Sequence, residues 1–144
     1  MDPNTIMKND PEFRRLNSQC SRRSYISDIL RSNDYNGFSS AGILVIDNGY
    51  DLISENREGV RSLSIPGGKR DYIDEDPKTT ALREYREEGG KYSLRREDLN
   101  QVLWYAPGKY ALFIVDRNNG LLPPIPRIHS FSKTLIDTYV SLKR

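Results

Sequence analysis

Apolar positions in this chain form short runs and helix-spaced stripes, separated by turn residues. The stretch 41–47 opens with Ala-Gly-Ile-Leu-Val-Ile, and its branched, nearly unbroken apolar character predicts a buried strand. Asp47-Asn48-Gly49 follows as a hairpin turn, because Asn-Gly accepts positive φ. A returning strand is expected over 50–55, where Tyr50, Leu52 and Ser54 alternate with Asp51 and Ile53. Residues 56–59 read as loop. Residues 63–65 read as a short strand running into Pro66-Gly67-Gly68, a turn whose glycines let the backbone approach other groups closely.

Period-3.6 stripes mark the helices. Asp76 is a good N-cap and Pro77 suits the first helical position, where its missing N–H leaves nothing unsatisfied. Ala81, Leu82 and Tyr85 give that helix its apolar face, and Gly89-Gly90 ends it. Residues 102–105 and 110–116 are expected to pair antiparallel around Pro107-Gly108-Lys109. A proline-rich crossing leads to a last helix over 130–142, with Leu135, Ile136, Tyr139, Val140 and Leu142 on one face. Strands and helices mixed with hairpins indicate an α+β fold. Residues 1–38 read as an N-terminal extension with a loose start. A basic helix is expected near 21–31, carrying Tyr25, Ile26, Ile29 and Leu30 on one side. The domain proper spans 39–144.

Composition narrows this little further. The 144 residues are 36% hydrophobic and 29% charged, with mean hydropathy −0.70, which suits one globular core and excludes collagen-like or disordered chains. The longest clean apolar run, 41–46, is far short of the ~20 residues a membrane helix needs, so no membrane association is expected. The start, Met1-Asp2-Pro3-Asn4, has no basic-then-apolar leader, and the single Cys20 fits a reducing compartment. A cytoplasmic or otherwise intracellular location is therefore expected.

Charge placement changes the picture more. The net charge is only +2, too small for bulk nucleic-acid binding, yet residues 71–88 hold seven carboxylates. Glu84, Glu87 and Glu88 stand at i, i+3 and i+4 of the expected helix, on one face. Like charges so placed destabilise a helix by ~0.2–0.5 kcal/mol per pair and invite a cation. Carboxylate oxygens that keep some water suit Mg²⁺ or Mn²⁺, and Arg83 stands where it can brace Glu87. The competing reading is a solvated helix neutralised by Arg83, Arg86 and Lys91.

The glycine turn, the acidic loop and the capped carboxylate helix, taken together, resemble the box of the Nudix hydrolase family. The family pattern runs G-x5-E-x7-R-E-U-x-E-E-x-G-U, with U aliphatic. Gly68, Glu75, Arg83, Glu84, Glu87, Glu88 and Gly90 match it, and the approach through 63–69 looks like the family's own. Six residues rather than five separate Gly68 from Glu75, with the extra one placed in the 71–74 loop. Tyr85 and Lys91 replace aliphatic residues. The box is similar to those of large DNA viruses.

The resemblance implies an α/β/α sandwich with a mixed sheet and a loop-helix-loop catalytic box. It implies Mg²⁺- or Mn²⁺-dependent attack of water on the pyrophosphate of a nucleoside diphosphate linked to another group. Glu84, Glu87 and Glu88, with Glu75 from the loop, would bind metal. Arg83 would orient them, and Glu87 or Glu88 would deprotonate water. Gly67 and Gly68 would shape the loop, and Lys69 and Arg57 are candidate phosphate contacts. The leading substrate is a small nucleotide. The alternatives are capped RNA, which the arginines at 14, 15, 22 and 23 favour, and diphosphoinositol polyphosphates. Pro107 and Tyr110 give conflicting cues to substrate type. A non-catalytic nucleotide-binding module is the reading from another class. Tyr35, Phe38, Tyr50, Trp104, Tyr105 and Tyr110 are expected mainly to pack, with base stacking as the alternative. His129 is expected to be structural or solvent-facing.

Overall fold

A computed structural model describes residues 38–71, 75–105 and 109–143, except for the side chains of Arg57 and Leu142. The expected extension, with its basic helix, Cys20 and Tyr35, lies outside the described residues but for Phe38, as do Asp74 and Pro107. Strands are β1 (Ser40–Ile46), β2 (Ile53–Arg57), β3 (Val60–Ser64), β4 (Gly67–Lys69), β5 (Val102–Tyr105) and β6 (Tyr110–Asp116). Helices are α1 (Pro77–Glu87) and α2 (Ser130–Lys143), with a 3₁₀ turn at Arg96–Asp98. The result is an α+β fold built on a mixed sheet.

That sheet has the order β4-β1-β6-β5. β1 runs parallel to β6, in register from Ser40 opposite Tyr110 to Ile46 opposite Asp116, and antiparallel to β4. β5 and β6 form the expected antiparallel pair. Ala41, Ile43, Leu44, Val45 and Ile46 are all fully buried, so β1 is covered on both faces, which explains its unbroken apolar sequence. Leu135, Ile136 and Tyr139 of α2 and Ala81, Leu82 and Tyr85 of α1 join the same core. Phe38 and Trp104 are buried there too, and the Tyr50 hydroxyl donates to the Pro123 carbonyl at 2.8 Å. No helix among the described residues is long and apolar enough to cross a membrane.

Two expectations are corrected. The Asp47–Gly49 turn does reverse the chain: Asn48 has φ 59, and Asp47 N–H donates to the Gly49 carbonyl at 2.9 Å. The returning strand over 50–55 does not form. After one bridge at Tyr50 the chain leaves β1, and β2 starts at Ile53 and pairs with β3 in a separate two-stranded sheet. A strand has only two edges, and those of β1 are taken by β6 and β4. Secondly, Gly67-Gly68 is a strand rather than a turn. β4 can lie this close to β1 because Gly42 and Gly67 face each other without side chains. A Cβ on Gly67 would stand 2.8 Å from the Ala41 carbonyl oxygen.

Candidate functional site

Local chemistry fixes the start of α1 as the sequence predicts. Asp76 is the N-cap, its side chain accepts the Thr79 N–H at 2.7 Å, and Pro77 opens the helix. Burying Thr80, Ala81, Leu82 and Tyr85 against the sheet turns Arg83, Glu84, Glu87 and Glu88 to the side of β4. Tyr85, where an aliphatic residue was expected, is accommodated by contact of its ring with Gly90, which has no Cβ to collide with it. Its hydroxyl donates to Asp51 Oδ2 at 2.6 Å and accepts the Tyr92 N–H at 3.0 Å.

Arg83 is the hub. Its Nε and Nη2 donate to Glu75 at 3.2 and 3.0 Å, and its Nη1 donates to Glu84 Oε1 at 2.9 Å and Glu87 Oε2 at 3.3 Å. Nη2 also donates to the Lys69 carbonyl at 3.0 Å, tying α1 to β4. Glu75 is buried, accepts further from the Thr80 hydroxyl and the Asp71 N–H, and so anchors Arg83. The hydrogen bonds from Arg83 hold the Glu75 carboxyl down to about 2, and the same contacts raise Arg83.

Glu84 and Glu88 lie together beside β4. A Cβ on Gly68 would fall 2.5 Å from Glu84 Cδ, so only glycine leaves room for that carboxylate. Glu88 Oε1 accepts the Gly67 N–H at 3.2 Å. Burial, then the charges of Glu84 and Glu55, push the Glu88 carboxyl up to about 7. Glu87 is 57% exposed and touches Arg83, so it stands apart from this pair.

Successive residues of a strand face opposite ways, and β4 uses this alternation. Gly68 meets Glu84, whereas Gly67 meets the Tyr110 hydroxyl. On the Tyr110 side lies a cleft of about 160 Å³, lined among others by Glu55, Ser64, Lys69, Tyr110 and His129. Burial and the charges of Glu88, Glu84 and Glu55 all raise Tyr110, which keeps its hydroxyl a proton donor. Lys69 lines the cleft, while the side chain of Arg57 lies outside the described residues.

The sequence reading missed Glu55, Ser64 and the placement of Tyr110. A signal for Glu55 existed: in β2 it shares the inward side with Ile53, between exposed Ser54 and Asn56, and an inward carboxylate on a strand is unusual. His129 also lines the cleft, while its Nδ1 accepts the Phe131 N–H at 3.3 Å.

Among the described residues, no three histidine, cysteine, aspartate or glutamate side chains gather closely enough to cage a metal ion by themselves. What stands ready is an all-oxygen pair, Glu84 and Glu88, in which burial, and after it the charge of Glu84, raises the Glu88 carboxyl. A pair of carboxylates suits a hard cation that keeps several waters and takes its remaining ligands from phosphate oxygens. No protein-family model matches the chain, and no curated protein matches it.

Proposed function

We propose that the protein is a divalent-metal-dependent Nudix hydrolase that cleaves the pyrophosphate bond of a nucleoside diphosphate linked to another group. The observation that carries this reading is the Glu84–Glu88 pair, set beside a side-chain-free strand and braced by Arg83. Glu84 and Glu88 would hold Mg²⁺ or Mn²⁺. Such an ion supplies charge neutralisation at the phosphoryl oxygens and lowers the pKa of a bound water.

The chain's own groups cover the rest. Arg83 fixes Glu84 through Nη1 and is itself held by Glu75. Glu88 Oε1 is engaged by the Gly67 N–H, which leaves Oε2 to accept the proton of the attacking water. The oxygen of that water becomes bonded to one phosphorus, and the bridging oxygen leaves with the other. The Lys69 ammonium and the Tyr110 hydroxyl offer donors to phosphate oxygens in the cleft.

The test is a panel of nucleoside diphosphate derivatives and a capped dinucleotide, followed by ³¹P NMR with and without Mg²⁺ or Mn²⁺. The expected result is metal-dependent breakage of a P–O–P bond, reduced ~10²-fold or more by Glu84→Gln and by Glu88→Gln. No metal-dependent cleavage across the panel, or rates within a few-fold in both variants, would overturn the reading.

A further inference from the structure

A second cavity borders the cleft at His129. The chain segment before α2 lies along β3: His129 N–H donates to the Leu63 carbonyl at 2.8 Å, and Ile128 bridges Leu63. Between β3 and this segment runs a groove of about 820 Å³, the size of a pocket for a whole nucleotide. Arg61 and Arg127 line it, with Leu63, Ile128 and Val60 as apolar wall and Glu58 as the acid at its rim. Val60 is 65% exposed. Among the described residues, neither guanidinium has an ion-pair or hydrogen-bond partner, so two cations face one groove unneutralised. A guanidinium fork fits phosphate oxygens, and its flat face fits a base.

His129 lines both cavities, so the two border on one side chain. Its Nδ1 accepts from Phe131, which leaves Nε2–H as a donor. On β3, next to the groove-lining Leu63, the buried Ser64 Oγ of the cleft wall has no hydrogen-bond partner among the described residues. A buried hydroxyl without a partner on the wall of a cleft is a donor awaiting one. From Ser64 to Arg61 the strand advances ~10 Å, farther than one diphosphate reaches. The arginines therefore meet a different phosphate from one held beside Ser64.

Resting on the hydrolase reading above, we infer that this groove is a second phosphate site. It takes the nucleoside half of the substrate together with a phosphate beyond the scissile diphosphate. That chemistry is found in a nucleoside bisphosphate and at the 5′ end of an RNA chain.

Binding of three probes to the full chain in EDTA tests it without turnover: ADP, its 3′-phosphorylated form ppAp, and the trinucleotide ppApApA. ppAp should bind about tenfold or more tighter than ADP, the worth of one phosphate–guanidinium contact. Replacing Arg61→Ala together with Arg127→Ala should erase that preference and leave the melting temperature unchanged, since both side chains are exposed. If the source is an RNA chain, ppApApA will exceed ppAp, with a salt slope steeper by ~0.7 for each added contact. If it is a bisphosphate, the two will match. Equal binding of ADP and ppAp, no detectable binding of ppAp, or an equal loss on both ligands in the double variant would overturn the inference. Because hydrolysis is not the readout, failure of every probe to be cleaved with metal present would strike the enzymatic reading alone.

Discussion

Removing the charge of Glu88 should make the metal-free protein more stable while abolishing the proposed hydrolysis. Burial, together with Glu84 and Glu55, raises this carboxyl from 4.5 to about 7. A native carboxyl with a raised pKa holds its proton where the unfolded chain has lost it. Between pH 4.5 and 7 the native state therefore binds more protons, and stability falls as pH rises through that window. Above about pH 7 the full penalty of the buried charge is present. At ~1.4 kcal/mol per pH unit the ceiling is ~3 kcal/mol, and water reaching this half-buried group reduces the expectation to ~1–2 kcal/mol. Glu88→Gln removes the charge but keeps an oxygen to accept the Gly67 N–H. In EDTA at pH 8 the variant should melt ~3–8 °C above the wild type, and the gap should close by about pH 4.5. Adding Mg²⁺ at pH 8 should raise the wild type and leave the variant in place. A variant that melts at or below the wild type at pH 8, or a gap independent of pH, would refute the claim that Glu88 is held against its own electrostatics.

Two further outcomes follow from the same geometry. Gly68→Ala places a methyl 2.5–2.7 Å from the Glu84 carboxylate, so that group must move by ~1 Å; catalysis should fall ~10²-fold and stability by ~1–3 kcal/mol, read from kcat and the melting curve. Glu75 sits at about 2, below its unfolded value, so its stabilisation is present above pH 4.5 and lost as pH falls through about 2; Glu75→Gln should cost ~2–3 kcal/mol by urea unfolding at pH 7, with the difference closing near pH 2.

What could be read from the sequence was what local chemistry decides. Asp76-Pro77 placed the start of α1 correctly because a cap and a fixed φ act within one turn. The pair β5–β6 was readable because only four residues separate its strands in the sequence. The parallel contact of β1 with β6 was not, since nothing in either strand names a partner some seventy residues away. The same blindness misplaced 50–55. The Asn-Gly turn was real, but whether the chain after it stays on β1 depends on β4 taking that edge, and β4 looked like a turn because its glycines carry no strand signal. At the site, helical spacing put Glu84 and Glu88 on one side of α1. Spacing could not show that Arg83 would draw Glu87 outward and lock Glu75, because those choices depend on where β4 and the loop arrive.

The choice between a functional site and a self-neutralised surface helix turns on where the cations point. For the helix to be mere solvated surface, Arg83, Arg86 and Lys91 should compensate its glutamates. Only Arg83 does, and it is shared among Asp71, Glu75, Glu84 and Glu87. Arg86 instead donates to the Leu94 carbonyl at 3.3 Å, and the Lys91 ammonium lies over the Tyr92 ring at 5.8 Å. Among the described residues neither makes an ion pair. Glu84, Glu87 and Glu88 also sit in the last turn and C-cap of α1, the end where the helix dipole disfavours negative charge. Packing could have relieved this by turning Glu88 to solvent, as it does Glu87. Instead Gly67 holds Glu88 inward by its N–H, and Gly68 leaves the room that Glu84 occupies. A fold that keeps two carboxylates together at the wrong end of a helix, with Arg83 divided among four carboxylates and Arg86 and Lys91 turned away, leaves part of their charge to be met by something other than the chain.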